Sequence, residues 1–146
     1  MFPAYTKFLV VDDSGFTRNM VKKSLAELGY KIVFEAPDVL SAQEILTKEL
    51  ATGTPIHCII SDVNMPALSG LSLVQWVRDH KEIKSMPLLL LTCNHEKEDV
   101  LEAARMGVTQ YMVKPFDTNT IKDRLEGAWK KHGKRYFDSI PKPKVG

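Results

Sequence analysis

Five side chains in this sequence form a set that can do chemistry together: Asp12, Asp13, Asp62, Thr92 and Lys114. Each stands at or just past the end of a short apolar run. Asp12 and Asp13 follow Lys7 to Val11, Asp62 follows Cys58 to Ser61, Thr92 closes the run opened by Pro87, and Lys114 ends the run begun by Tyr111. Carboxylates brought together raise one another's pKa, and a hard divalent cation relieves that repulsion. Carboxylates joined by a backbone carbonyl suit Mg²⁺. With Mg²⁺ and Lys114 set against three Asp, the site is near neutral and can receive a phosphoryl group. A carboxylate can attack phosphorus to give an aspartyl phosphate, and such transfer needs chiefly positioning and charge neutralisation. Asp62 has room above its strand end and is the candidate nucleophile, with Asp12 and Asp13 as the metal cradle. Thr92 would donate to one phosphoryl oxygen and Lys114 would pair with another.

The elements that must position these groups follow from the hydrophobic pattern. Strands are expected over Lys7 to Val11, Lys31 to Glu35, Cys58 to Ser61, Leu88 to Thr92 and Tyr111 to Lys114. Helical spacing marks Val21, Leu25 and Leu28 before Gly29, then Ala42, Ile45 and Leu46, then Leu71, Val74 and Val77. A fourth helix runs over Glu98 to Met106 with Val100, Ala103 and Ala104 inward, and a fifth carries Ile121, Leu125, Ala128 and Trp129. Five strand-helix pairs imply right-handed crossovers, hence an α/β fold with a five-stranded parallel sheet and helices on both faces. The all-apolar fourth strand agrees, because it needs cover on both sides. In such a sheet all strands end on one edge, where open α/β folds place their chemistry. That edge gathers the five residues.

At 146 residues the chain is one ordinary domain, and its 44% hydrophobic and 26% charged residues are those of a soluble globular protein. No apolar run approaches the ~20 residues of a membrane span. The start lacks the pattern of a signal peptide, and Cys58 and Cys93 suggest no disulfide framework, so a cytoplasmic protein is expected. Charge is uneven: residues 127–146 carry six cations against Asp138, while the first 126 residues are mildly acidic. Spread around a helix end, those cations read as a solvated face and not as a nucleic-acid arm. The domain is expected over residues 1–132, with 133–146 a basic, loosely ordered tail or the start of a linker.

Taken together, these motifs resemble the receiver domain of bacterial response regulators, across residues 6–132, and among them the single-domain, chemotaxis-type members. The resemblance implies a flavodoxin-like sheet of order 2-1-3-4-5. It identifies Asp62 with the phosphoacceptor, Asp12 and Asp13 with the acidic pair, and Asn64 with the position whose carbonyl completes the Mg²⁺ set. Thr92 matches the switch hydroxyl and Tyr111 the switch aromatic, while Lys114 is followed by Pro115, expected cis, and Phe116. The implied function is a monomeric signalling switch that takes a phosphoryl group from a histidine kinase or small phosphodonor. Thr92 and Tyr111 would then rearrange the surface of helix four, strand five and helix five, which a downstream target such as a flagellar-motor or phosphatase component reads. Its only catalysis would be its own phosphorylation and dephosphorylation.

Two positions depart from the family pattern. Val39 replaces a common Gly in a turn, and Cys93 follows Thr92 where Ala or Gly is usual and would narrow access to Asp62. Asn64 and Asn94 flank the site as amides, which are poor general bases, so a long-lived phosphorylated state is expected. Asn64 also argues against a phosphatase of the haloacid-dehalogenase type, whose chemistry needs a second acid two residues after the nucleophile. A receiver cut from a larger regulator or hybrid kinase stays open. His57, His80, His95 and His132 show no metal-ligand spacing.

Overall fold

A computed structural model describes residues 1–93 and 97–140, with the backbone alone for 97–100. Strands and helices alternate as β1 (Lys7–Val11), α1 (Gly15–Glu27), β2 (Ile32–Ala36), α2 (Val39–Ala51), β3 (Cys58–Asp62), α3 (Gly70–Asp79), β4 (Leu88–Thr92), α4 (Lys97–Arg105), β5 (Gln110–Val113) and α5 (Thr118–Ala128). The strands form one parallel sheet in the order β2-β1-β3-β4-β5. Fold class and strand order are those expected.

Local sequence explains the helix ends. Ser14 accepts from Thr17 N at 3.2 Å, Asp38 from Ser41 N at 2.7 Å and Asp117 from Thr120 N at 2.8 Å, so α1, α2 and α5 each start on a side-chain cap. Gly29 follows α1 at φ 95°, the left-handed conformation that ends a helix without a Cβ penalty.

Alternation along the strands splits the core into two layers. Leu9, Val11, Ile59, Leu88 and Leu90 pack with the buried faces of α2 and α3 and with Ala103. Phe8, Val10, Ile60, Leu89, Leu91 and Met112 point the other way, onto Val21 and Leu25 of α1 and Ile121 and Leu125 of α5. β3 and β4 are buried along their whole length, so their carboxyl ends are firm platforms. Ala104, expected inward, is exposed; Ala103 alone of that pair enters the core. No helix among the described residues is long and apolar enough to cross a membrane.

The expected loose tail is not found over residues 133–140. After α5 the chain makes a π-helical turn, Trp129–Gly133, and a further helix, α6 (Lys134–Ser139). Tyr136 is fully buried and its hydroxyl donates to Ile56 O at 2.9 Å. Phe137 stacks on His57, with ring centroids 4.5 Å apart, and meets Trp129 edge-on. The π-turn shifts the helical phase, so a stripe counted at 3.6 residues per turn stops at Trp129 although burial continues. α6 lies under the amino-terminal edge of the sheet, opposite the strand-end acids. Residues 141–146 of the expected tail lie outside the described residues.

Candidate functional site

The carboxyl ends of β1, β3, β4 and β5 meet at one edge. Asp12, directly after β1, is buried; Asp13 beside it is exposed; Asp62 is the last residue of β3 and is buried. One carboxylate oxygen from each of the three lies within 4.8 Å of the others. Lys114 Nζ donates to Asp12 Oδ2 at 3.1 Å and lies 3.5 Å from Asp62 Oδ2. Thr92 ends β4, is buried, and sits opposite Val113 in the β4–β5 register. The Lys114–Pro115 peptide is cis, as expected.

Backbone around the acids is tightly held. Asp12 Oδ1 accepts from Ser14 N at 2.9 Å, and the Asp12 carbonyl accepts from Arg18 Nη1 at 2.6 Å. Arg18 is in turn paired with Glu35 at 3.2 Å. Past β3 the chain turns through Ala67, a non-glycine at φ 69°, and closes with Gly70 N donating to Val63 O at 2.8 Å. A Cβ on Gly70 would run into the carbonyl of Asp62, so only glycine allows α3 to start so close to the acid.

Electrostatics follow from burial and charge. Desolvation is the largest influence on Asp62 and raises its pKa. Lys114 opposes that shift, Asp12 adds to it, and the backbone N–H groups of Asn64 and Val63 lower it again, with the net shift upward. Burial works against the Lys114 ammonium, but its hydrogen bond to Asp12 and the charges of Asp62 and Asp12 outweigh it, so its pKa stands above the ordinary lysine value. The site thus holds a carboxylate whose ionised form is incompletely compensated, which a bound cation would correct. The donor set of three carboxylates, each offering an oxygen within 4.8 Å of the others, fits Mg²⁺ by charge and by ligand type.

Beside the acids, Thr92 and Tyr111 line one cavity of about 180 Å³ together with Asn64, Ser69, Leu71 and Ala103. The half-buried ring of Tyr111 therefore has space between β5 and α4. Cys93 is exposed and lines a separate cleft with Phe16, Met20, Lys114 and Phe116. Asp12, Asp13, Asp62 and Lys114 are brought into one cluster, Thr92 and Tyr111 into the adjoining cavity, and Asn64 is an exposed residue on its rim. Asn94 lies outside the described residues. Sequence reasoning missed Arg18; the available signal was a cation one turn into the helix that follows the acidic pair.

Comparison with known proteins places this geometry in context. The family model for the response regulator receiver domain matches residues 8–126. The chemotaxis protein CheY homolog of Campylobacter jejuni is 39% identical over 120 residues, covering 82% of this chain and 89% of that protein. Helicobacter pylori CheY1 is also 39% identical over 120 residues, covering 82% and 94%. Among solved structures, the chemotaxis response regulator CheY4 of Vibrio cholerae superposes with a TM-score of 0.74 at 35% identity, over 85% of this chain and 98% of that one.

Proposed function

From the premise that this chain belongs to the response regulator receiver family and carries a receiver domain of the CheY-like chemotaxis type, we propose that it is a switch phosphorylated on Asp62 in the presence of Mg²⁺. The observation that carries this reading is the cluster of Asp12, Asp13 and Asp62 within 4.8 Å, with Lys114 bridging Asp12 and Asp62.

An Asp62 carboxylate oxygen attacks the phosphorus of a phosphohistidine on a partner kinase. The new P–O bond forms as the P–N bond breaks, and the imidazole leaves with a proton. Mg²⁺ held by Asp12, Asp13, Asp62 and the Asn64 carbonyl would supply positive charge against the phosphoryl oxygens. Lys114 is placed to pair with one of those oxygens once Asp62 is modified, giving up part of its contact with Asp12. Thr92 is the hydroxyl at the mouth of the adjoining cavity and donates to a second. Movement of Thr92 toward Asp62 frees space at the cavity that Tyr111 also lines, and the ring then turns inward. The face formed by α4, β5 and α5 changes, and a downstream protein, of the flagellar-motor or phosphatase kind, reads it. The reaction is the protein's own modification and reset, in the cytoplasm and as a monomer, with no turnover of other substrates.

Intact-mass measurement after incubation with a small acyl phosphate and Mg²⁺ tests the reading. One added phosphoryl group is expected on the wild type and none on Asp62→Asn. Label that persists in the variant would move the acceptor elsewhere.

A further inference from the structure

The pole opposite the acids contains a cleft that the switch does not use. Its volume is about 620 Å³, and it lies between the end of α2, the α3–β4 loop and the end of α6. Leu50, Pro55 and Ile140 give it an apolar floor, and Ser85 and Ser139 place hydroxyls on its walls. Lys81 and Lys84 stand exposed on the rim, with Glu82 as the one acid. Neither lysine ammonium has an ion-pair or hydrogen-bond partner among the described residues.

The walls are built, not draped. Arg78 donates to the carbonyls of Lys84 at 3.0 Å, Met86 at 2.7 Å and Gly107 at 2.9 Å, which fixes the α3–β4 loop. Burial of Tyr136 and Phe137 fixes α6. Arg135 stands exposed on α6 one helical turn before Ser139, adding a cation on the helix that ends at the cleft.

We propose that this basic pole is a docking site for an acidic segment of a partner protein, which seats an apolar side chain in the cleft. Charge complementarity selects the occupant. Single-stranded nucleic acid binds by stacking on aromatic or guanidinium surfaces, and no residue lining the cleft supplies one. A membrane would need an apolar helix face, and α6 has turned Tyr136 and Phe137 to the core. An acidic peptide with one large apolar residue satisfies both rim and floor. Because the cleft lies at the far edge of the sheet from Asp62, such a partner could hold the protein without covering the acids.

The test is an NMR titration of the full chain with a synthetic Asp/Glu-rich peptide containing a central Leu-Phe pair. Controls are a counterpart with every acid replaced by Lys, and phosphatidylserine vesicles. Saturable amide shifts are expected at residues 81–85 and 139–140 with the acidic peptide alone. The double variant Lys81→Glu, Lys84→Glu and the separate Ser139→Glu should each weaken binding about tenfold or more. These are exposed positions, so folding is retained, and Asp62 labelling by acyl phosphate should be unchanged in both. Absence of saturable shifts at the cleft, equal binding of the lysine counterpart, or binding by vesicles through the same residues would overturn the proposal. Loss of wild-type labelling would strike the phosphorylation reading alone.

Discussion

Lys114 Nζ donates to Asp12 Oδ2 at 3.1 Å, joining the ends of β5 and β1, strands that are not neighbours in the sheet. The same ammonium reaches Asp62, so one cation spans the edge and stands in the field a metal ion would share. Lys114→Met should therefore act in two opposite directions. Asp62 labelling by acyl phosphate should slow by on the order of 10–100-fold, since a preorganised charge for the phosphoryl oxygens is gone. Mg²⁺ affinity, read by calorimetry, should rise because a repelling cation has been removed. A fall in both would indicate that the site had collapsed.

Asp62 is held above its usual pKa chiefly by burial. An acid whose folded-state pKa is raised favours the fold only while protonated. Its ionised form costs stability, a cost that grows as pH rises through the raised value and is absent once both states are protonated. Metal-free Asp62→Asn should then melt several degrees above wild type at neutral pH, and the gap should close as pH falls below the ordinary carboxylate range. Added Mg²⁺ should narrow it at neutral pH by stabilising wild type alone. A gap independent of pH would sink the argument.

His57 and His132 are both held down to about 4, in each case chiefly by burial. His57 Nδ1 accepts from Lys7 N at 2.8 Å, and His132 Nδ1 lies 2.8 Å from Thr109 Oγ1, near Arg78. A base with a depressed folded-state pKa gives stability that is complete above its unfolded value near 6.5 and lost as pH falls toward 4. Urea unfolding at pH 5 should show a loss on the order of 2 kcal/mol per buried histidine against pH 7, less for the more exposed His132. His132→Asn should flatten part of that slope.

Tyr136 closes the lower end of the core. Tyr136→Phe removes one buried hydrogen bond and leaves the Ile56 carbonyl without it, a cost of about 1–2 kcal/mol. Tyr136→Ala should cost about 3–5 kcal/mol by leaving a cavity. Chemical denaturation of both variants checks the pair; a small effect for the alanine variant would mean that α6 does not pack in solution.

Cys93 stands exposed beside Thr92, on the cleft that borders Lys114. Replacing it by Ala should open the approach to Asp62 and speed labelling by small phosphodonors by several-fold. An unchanged rate would show that its side chain does not gate access.

The strand-end chemistry was legible because a parallel sheet converts order in the chain into position on one edge. Once Asp12, Asp62, Thr92 and Lys114 are each recognised at a strand terminus, their convergence needs no further information. Arg18 escaped because its role is played through the backbone carbonyl of Asp12, which side-chain patterning does not reveal. Gly70 escaped as a requirement for the same reason: what excludes a Cβ there is the main chain of Asp62. α6 escaped because a period of 3.6 cannot follow a chain through a π-turn, so Tyr136 and Phe137 fell inside the expected basic tail.

Those two aromatic residues are adjacent in sequence, yet Tyr136 belongs to the layer under α2 and α3 and Phe137 to the layer under α1 and α5. A six-residue helix is therefore riveted into both sides of the sheet at once. Sliding either helical layer along the strands would have to extract one of the two rings, so the chain's last described helix gives the sandwich its resistance to shear.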